Sequence, residues 1–218
     1  GGCEKLTSII IPEGVTSIGY SVFSYCESLT SIIIPESVIS IGEFAFHGCS
    51  SLTSITLPKR VTSVGDWVFE GCQNLTSVIL PESLIVIAEN AFSKCANLAN
   101  IVLPKGLILI GESAFSDCES LMSIIIPVNV RHIGKRAFNN CKSLNSIIIP
   151  ESVTSIGDYI FAGCQSLTSI IIPKSITNIS EGAFASCKNL TSIKIPVNVR
   201  HIGERAFQDC KSLNSIII

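Results

Sequence analysis

Apolar and polar positions follow one pattern along this chain, copied again and again without a slip. Each copy reads Cys-x-x-Leu-Thr-Ser-Ile-x-Ile-Pro-x-x-Val-x-Ser-Ile-Gly-x-x-Ala-Phe-x-x, and the copies follow one another every 23 residues. The stretch Leu29-Thr30-Ser31-Ile32-Ile33-Ile34 is rich in β-branched residues and ends at Pro35. It predicts a short strand, closed by a residue that cannot donate to a ladder. A second short strand is predicted from Val38 to Ile41, ended by Gly42. The last third, such as Glu112 to Cys118, predicts one or two helical turns. There Ala114, Phe115 and Cys118 stand at i, i+1 and i+4, which share one face of a helix. The position opening that turn is acidic in seven of nine copies: Glu43, Asp66, Glu89, Glu112, Asp158, Glu181 and Glu204. Negative charge there suits a helix N-terminus, by about 0.3–1 kcal/mol each.

A strict period in this range marks a solenoid, in which each copy is one coil stacked on its neighbours. Ten cysteines from Cys3 to Cys210, nine prolines, ten leucines from Leu6 to Leu213 and nine of ten phenylalanines all keep the period. Phe44 is the extra phenylalanine. Stacked first strands would pair as a parallel sheet with neighbours about 4.8 Å apart. Glycine follows the second strand in seven of nine copies, Ala88 and Ser180 being the departures. Alanine and serine avoid positive φ, so this column predicts close packing between coils and no obligatory left-handed turn.

The composite motifs Leu-x-x-Ile-x-Ile-Pro, Val-x-x-Ile-Gly and Ala-Phe-x-x-Cys resemble the BspA-like leucine-rich repeats of bacterial and protozoan surface proteins, over essentially the whole chain. The expected fold class is α/β: a right-handed leucine-rich-repeat solenoid of 23-residue coils with a parallel β-ladder, a short second strand and a short helical turn. Residues 1–218 are expected to form a single solenoid of nine full repeats and a partial tenth, cut from a longer chain. The resemblance implies an adhesion or binding module at the cell surface or secreted, and it carries no shared catalytic residues.

Composition narrows the function classes. Hydrophobic residues make up 47% of the chain and charged residues 15%, ample for a continuous core. No apolar run reaches the length of a membrane-spanning helix, and no membrane insertion is expected. The net charge of −2 gives no general attraction to nucleic acid. Its distribution is uneven. Residues 1–117 hold 5 basic and 11 acidic side chains, and residues 118–218 hold 10 basic and 6 acidic. Residues 127–149 and 196–218 agree at 20 of 23 positions, the mark of a copied block.

Candidate chemistry is sparse. Equivalent cysteines in adjacent coils would have parallel Cβ vectors, which do not converge into disulfides, so a buried column of free thiols is expected. The chain has one thiol per repeat, no Cys-x-x-Cys, and histidines (His47, His132, His201) at other phases, so neither a metal site nor a cofactor is expected. Serine recurs as a surface column with Asn100 as its exception, whereas a nucleophile needs a unique base beside it. No enzyme activity is expected.

Function is therefore read from faces. Period 2 points Leu29, Ile32 and Ile34 inward and leaves Ser31 and Ile33 outside. The outer column runs Ile10, Ile33, Thr56, Ile79, Val102, Ile125, Ile148, Ile171, Lys194, Ile217, eight of ten aliphatic. At roughly 50 Å² each, these eight make a patch of about 400 Å², a size that marks interaction sites. The candidate binding residues are Ser31, Ile33, Ile79, Ile125, Ile148, Ile171 and Lys194, with a protein partner and possible self-association. Two other functions stay open. One is a spacer that holds another domain away from a surface. The other is polyanion binding through Arg131, His132, Lys135 and Arg136, echoed by Arg200, His201 and Arg205.

Overall fold

The computed structural model describes residues 1–217. Its path is a parallel β-solenoid in which most coils add two short strands to two ladders. The first strand is three residues long in eight coils, as in Ser8–Ile10, Ser31–Ile33, Ser54–Thr56 and Ser123–Ile125. The second is two residues long, as in Ser40–Ile41 and Leu109–Ile110. Pairing follows the sequence period: Ser8 faces Ser31, Ile10 faces Ile33, and Ile125 faces Ile148. The second ladder runs unbroken through five strands, from Ser63–Val64 to Ser155–Ile156. Between the strands the chain turns at proline, whose carbonyl accepts from the residue three on, as in Val38 N–H to Pro35 O at 3.0 Å.

One coil shows how the core is filled. Leu29, Ile32, Ile34, Val38, Ile41, Ala45, Phe46 and Cys49 are all buried, and their equivalents continue along the axis as a single core. The nine column phenylalanines stack with ring centroids 5.3–5.8 Å apart and planes within 1–19° of parallel. That step exceeds the ~4.8 Å of a hydrogen-bonded ladder, as expected of parallel rings that stack with a lateral offset.

The predicted helical turn does not form. No helix occurs among the described residues, so the chain is a β-solenoid and not an α/β fold. Two left-handed residues in every coil are the reason. Phe44 (φ 58°) and Gly48 (φ 70°) hold these positions in the second coil, Asn90 (φ 53°) and Lys94 (φ 59°) in the fourth. A helix would need right-handed φ at every residue and N–H groups directed four residues back. Here alternate N–H groups leave the coil. Phe44, Phe46 and Gly48 donate to Asp66, Val68 and Glu70 of the next coil at 3.1, 3.0 and 2.7 Å. The residues between them donate three back, His47 to Phe44 and Cys49 to Phe46, both at 3.1 Å. Every coil edge is thus bonded to its neighbour. The acidic column therefore caps no helix. Asp66 instead accepts the N–H of Glu89 at 2.9 Å, and burial together with nearby Glu112 and Asp66 pushes the Glu89 carboxyl upward.

At Gly42, Gly111, Gly134, Gly157 and Gly203 the glycine column is a packing site, as the sequence predicts, whereas Gly19 and Gly65 have room for a Cβ. A Cβ on Gly42 would lie 2.8 Å from Gly19 C and Tyr20 N, and Gly42 does not have positive φ. Where serine stands in for it, the Ser180 hydroxyl donates to Ile156 O one coil back at 2.6 Å. All ten cysteines are free, and eight are buried. Among the described residues no helix is long and apolar enough to cross a membrane. Ile218, which the sequence places among core-facing residues, lies outside the described residues.

Candidate functional site

The first ladder turns one face to the core and the other to water. In Ser31–Ile33 the burial pattern is exposed, buried, exposed, and the same alternation holds in Ser123–Ile125 and Ser146–Ile148. Ser31, Ile33, Ile79, Ile125, Ile148, Ile171 and Lys194 all lie on the exposed face. Ser31 belongs to the serine column beside the others, which share one column: Thr56 pairs with Ile79, Ile148 bridges Ile171, and Lys194 faces both Ile171 and Ile217. The eight aliphatic members are 54–83% exposed, with Val102 the most open at 83%. A row of threonines runs beside them through the first four coils, and the hydroxyls of Thr30, Thr53 and Thr76 each donate to the threonine carbonyl one coil back. Thr30 to Thr7 and Thr76 to Thr53 both measure 3.1 Å.

The row breaks in the fifth coil, where Ala99 replaces threonine and Asn100 replaces serine. Asn100–Val102 forms no strand and joins no bridge of the first ladder. An open apolar notch of about 390 Å³ lies there, lined by Val102, Leu103, Ile125 and Pro127, with Asn100 and Lys105 at its rim. The sequence carries the signal for it, in the paired loss of threonine and serine at one coil.

The basic candidates occupy another face. Arg131, His132, Lys135, Arg136, Arg200, His201 and Arg205 are all exposed, on the second ladder and the turn after it. Several are already engaged. Lys135 Nζ lies 3.5 Å from Asp158 Oδ2, the Arg136 guanidinium sits 5.6 Å over the Tyr159 ring, and His132 Nδ1 lies 3.4 Å from Ser155 Oγ. The two clusters are not brought together. Glu181 stands between them and accepts the Tyr159 hydroxyl. Among the described residues no group of three His, Cys, Asp or Glu side chains is placed to hold a metal ion.

Sequence reasoning missed one grouping: Tyr20, Tyr25, Phe44, His47 and Trp67 cluster in the first three coils. The available signal was Phe44 outside its column and Trp67 one period later.

Together, the stacked coils and their two-sided ladder define a leucine-rich-repeat solenoid. The description "BspA type Leucine rich repeat region (6 copies)" matches residues 1–122 and 108–218, and the chain belongs to this family. Among solved structures, a leucine-rich repeat protein from Bacteroides ovatus is 32% identical with a TM-score of 0.75, covering 96% of this chain and 62% of its own. The chain therefore spans less than two thirds of that relative. A leucine-rich cell surface protein from Faecalibacterium prausnitzii is 28% identical with a TM-score of 0.51, covering 98% of this chain and 82% of its own. The leucine-rich repeat protein of T. pallidum is 27% identical with a TM-score of 0.56, covering 95% and 78%. No curated protein matches the chain.

Proposed function

We propose that this chain is a non-enzymatic adhesion module, one uninterrupted solenoid domain that holds a protein partner on the outer face of its first ladder. The observation that carries this reading is the exposure of that face, with eight aliphatic side chains 54–83% open to water. An apolar patch of this scale is as large as the largest on a typical monomer, and such patches are often functional. The rigid ladder suits binding, since side chains on paired strands lose little freedom when a partner covers them. The module works at the cell surface or outside the cell, a placement supported by its likeness to the F. prausnitzii cell surface protein.

The test is attachment of the purified protein to matrix-coated surfaces and cell layers. Ile125→Lys with Ile171→Lys should abolish attachment while leaving the melting curve in place. Attachment that survives the double variant would overturn the reading. Lysine is tolerated here, since Lys194 already occupies the column.

A further inference from the structure

Five aromatic side chains lie outside the phenylalanine column: Tyr20, Tyr25, Phe44, Trp67 and Tyr159. Four of them share the first three coils. Tyr20 meets Phe44 with centroids 5.5 Å apart, and Phe44 stacks on Trp67 at 5.0 Å and 7°. Tyr25 meets His47 edge to face at 4.8 Å. The scaffold does not require them. The equivalents of Tyr25 in later coils are Asp117 and Asn140, and those of Phe44 and Trp67 are Ser113 and Arg136, all in the same left-handed conformation.

Beside this cluster runs an open trough. Tyr25, Gly48, Gly71 and Lys94 occupy one column across four consecutive coils. Gly48 and Gly71, at φ 70° and 74°, have no side chains and form the floor. The Tyr25 ring lies on Gly48, where a Cβ would stand 2.8 Å from Tyr25 Cδ1, and Tyr25 remains 53% exposed. Lys94 closes the far end. His47 and Glu70 form one wall, Glu27 and Gln73 the other. The first wall is tied down by two bonds, His47 Nε2 2.9 Å from the Tyr25 hydroxyl and Lys94 Nζ donating to Glu70 Oε1 at 2.9 Å, while the buried His47 Nδ1 stands 3.3 Å from Glu70 Oε2 without a hydrogen-bond partner.

A half-exposed aromatic ring beside carboxylates, an ammonium and a primary amide fits one class of ligand well. A pyranose ring has an apolar C–H face that stacks on an aromatic ring and a rim of hydroxyls that both donate and accept. Two carboxylates against one ammonium leave the trough net negative, which disfavours acidic sugars. From Tyr25 to Lys94 is three coil steps, about 14 Å at strand spacing, room for more than one ring. We propose that this trough binds a short neutral oligosaccharide, one ring stacked on Tyr25 and its hydroxyls held by Glu70, Lys94 and Gln73. The site is separate from the aliphatic column and does not depend on the adhesion reading.

Trp67 is the sole tryptophan, and it joins the trough through Phe44, which meets His47 edge to face at 5.6 Å. Its fluorescence therefore reports binding. The full chain is titrated with neutral tetrasaccharides of glucose, mannose and N-acetylglucosamine to about 10 mM, enough to reveal a millimolar Kd. At least one should saturate. Tyr25→Ala removes the stacking face. Gly71→Asn blocks the floor without backbone strain, since Asn140 holds the same column at φ 56°. Each should weaken binding at least about tenfold, while Tyr159→Ala and the Ile125→Lys, Ile171→Lys pair leave it unchanged. Two results would overturn the proposal: no tetrasaccharide bound, or equal binding by folded Tyr25→Ala and Gly71→Asn. The aromatic cluster would then be left as a protein-contact surface.

Discussion

The Cys118 thiol donates to the carbonyl oxygen of Phe92, one coil back, at 3.1 Å. Phe92 O also accepts the N–H of Cys95 at 3.2 Å, so the thiol satisfies its second lone pair. Seven further cysteines repeat this bond, from Cys49 to Phe23 at 3.0 Å through Cys210 to Phe184 at 3.0 Å. A column of cysteines is then more than small apolar filling. Each thiol is a weak donor on an apolar body, placed where serine would bring a costlier hydroxyl into the core.

That column makes the fold alkali-sensitive. Burial holds the thiols of Cys72, Cys95 and Cys141 well above their ordinary value and pushes Cys49 up to about 12. The unfolded chain ionises its thiols near pH 8.5–9 while the folded one keeps them protonated. Stability is therefore complete below about pH 8.5 and falls as pH rises toward the folded values. Each buried thiol lowers it by up to about 1.4 kcal/mol per pH unit in that window. The Tm should be clearly lower at pH 10.5 than at pH 7, and an unchanged Tm would refute the buried-thiol account. In denaturant without reductant, thiol titration should count ten per chain.

Phenylalanine should dominate packing energy. Phe115 is fully buried between Phe92 and Phe138, with centroids 5.5 and 5.6 Å away. Phe115→Ala removes both stacking partners' contact and leaves a cavity, at a cost of about 3–5 kcal/mol. The loss should spread to adjoining coils by nearest-neighbour coupling. A chemical melt within about 1 kcal/mol of the parent would contradict this.

The glycine column offers an internal contrast. A Cβ on Gly111 would fall 2.6 Å from Ala88 C and 2.8 Å from Ala88 O, both rigid backbone. On Gly65 the nearest atom would be Val68 Cγ2 at 3.5 Å. Gly111→Ala must push two coils apart, and should cost about 1–3 kcal/mol. Gly65→Ala should be neutral or gain about 0.4–1 kcal/mol through the unfolded chain. Equal melting temperatures for the two variants would show that the column does not set coil spacing.

The strands, the core columns and the tight glycines were legible because each rests on a period that the chain repeats. The helical turn was misread for a physical reason. Ala114, Phe115 and Cys118 do share a face, but the same inward set arises when left-handed Ser113 and Asp117 (φ 52° and 58°) flank Phe115. Gly48, Gly71, Asn90, Asp117 and Asn140 sit in these two columns, and such residues adopt left-handed φ most readily. Read together they would have argued against a helix. The outer face was legible from period 2, whereas the Tyr25 trough was not, since it depends on a ring lying across a glycine of the next coil.

The same outer face should make the protein self-associate at high concentration. Ile125 is 76% exposed and Ile171 is 78% exposed, with Ile148 at 67% between them and paired to both. Three adjacent isoleucines in register form a flat apolar strip that another copy can cover, at about 25 cal/mol per Å² buried. Two lysines in the strip bring like charges together in any such contact and leave the inward Ile124 and Ile170, both buried, untouched. Sedimentation at rising concentration should show the parent becoming larger and Ile125→Lys, Ile171→Lys staying monomeric with an unchanged Tm. A parent that stays monomeric throughout would show that the threonine and serine rows beside the strip keep it wet. A double variant that unfolds would show that these isoleucines support the coil and do not merely coat it.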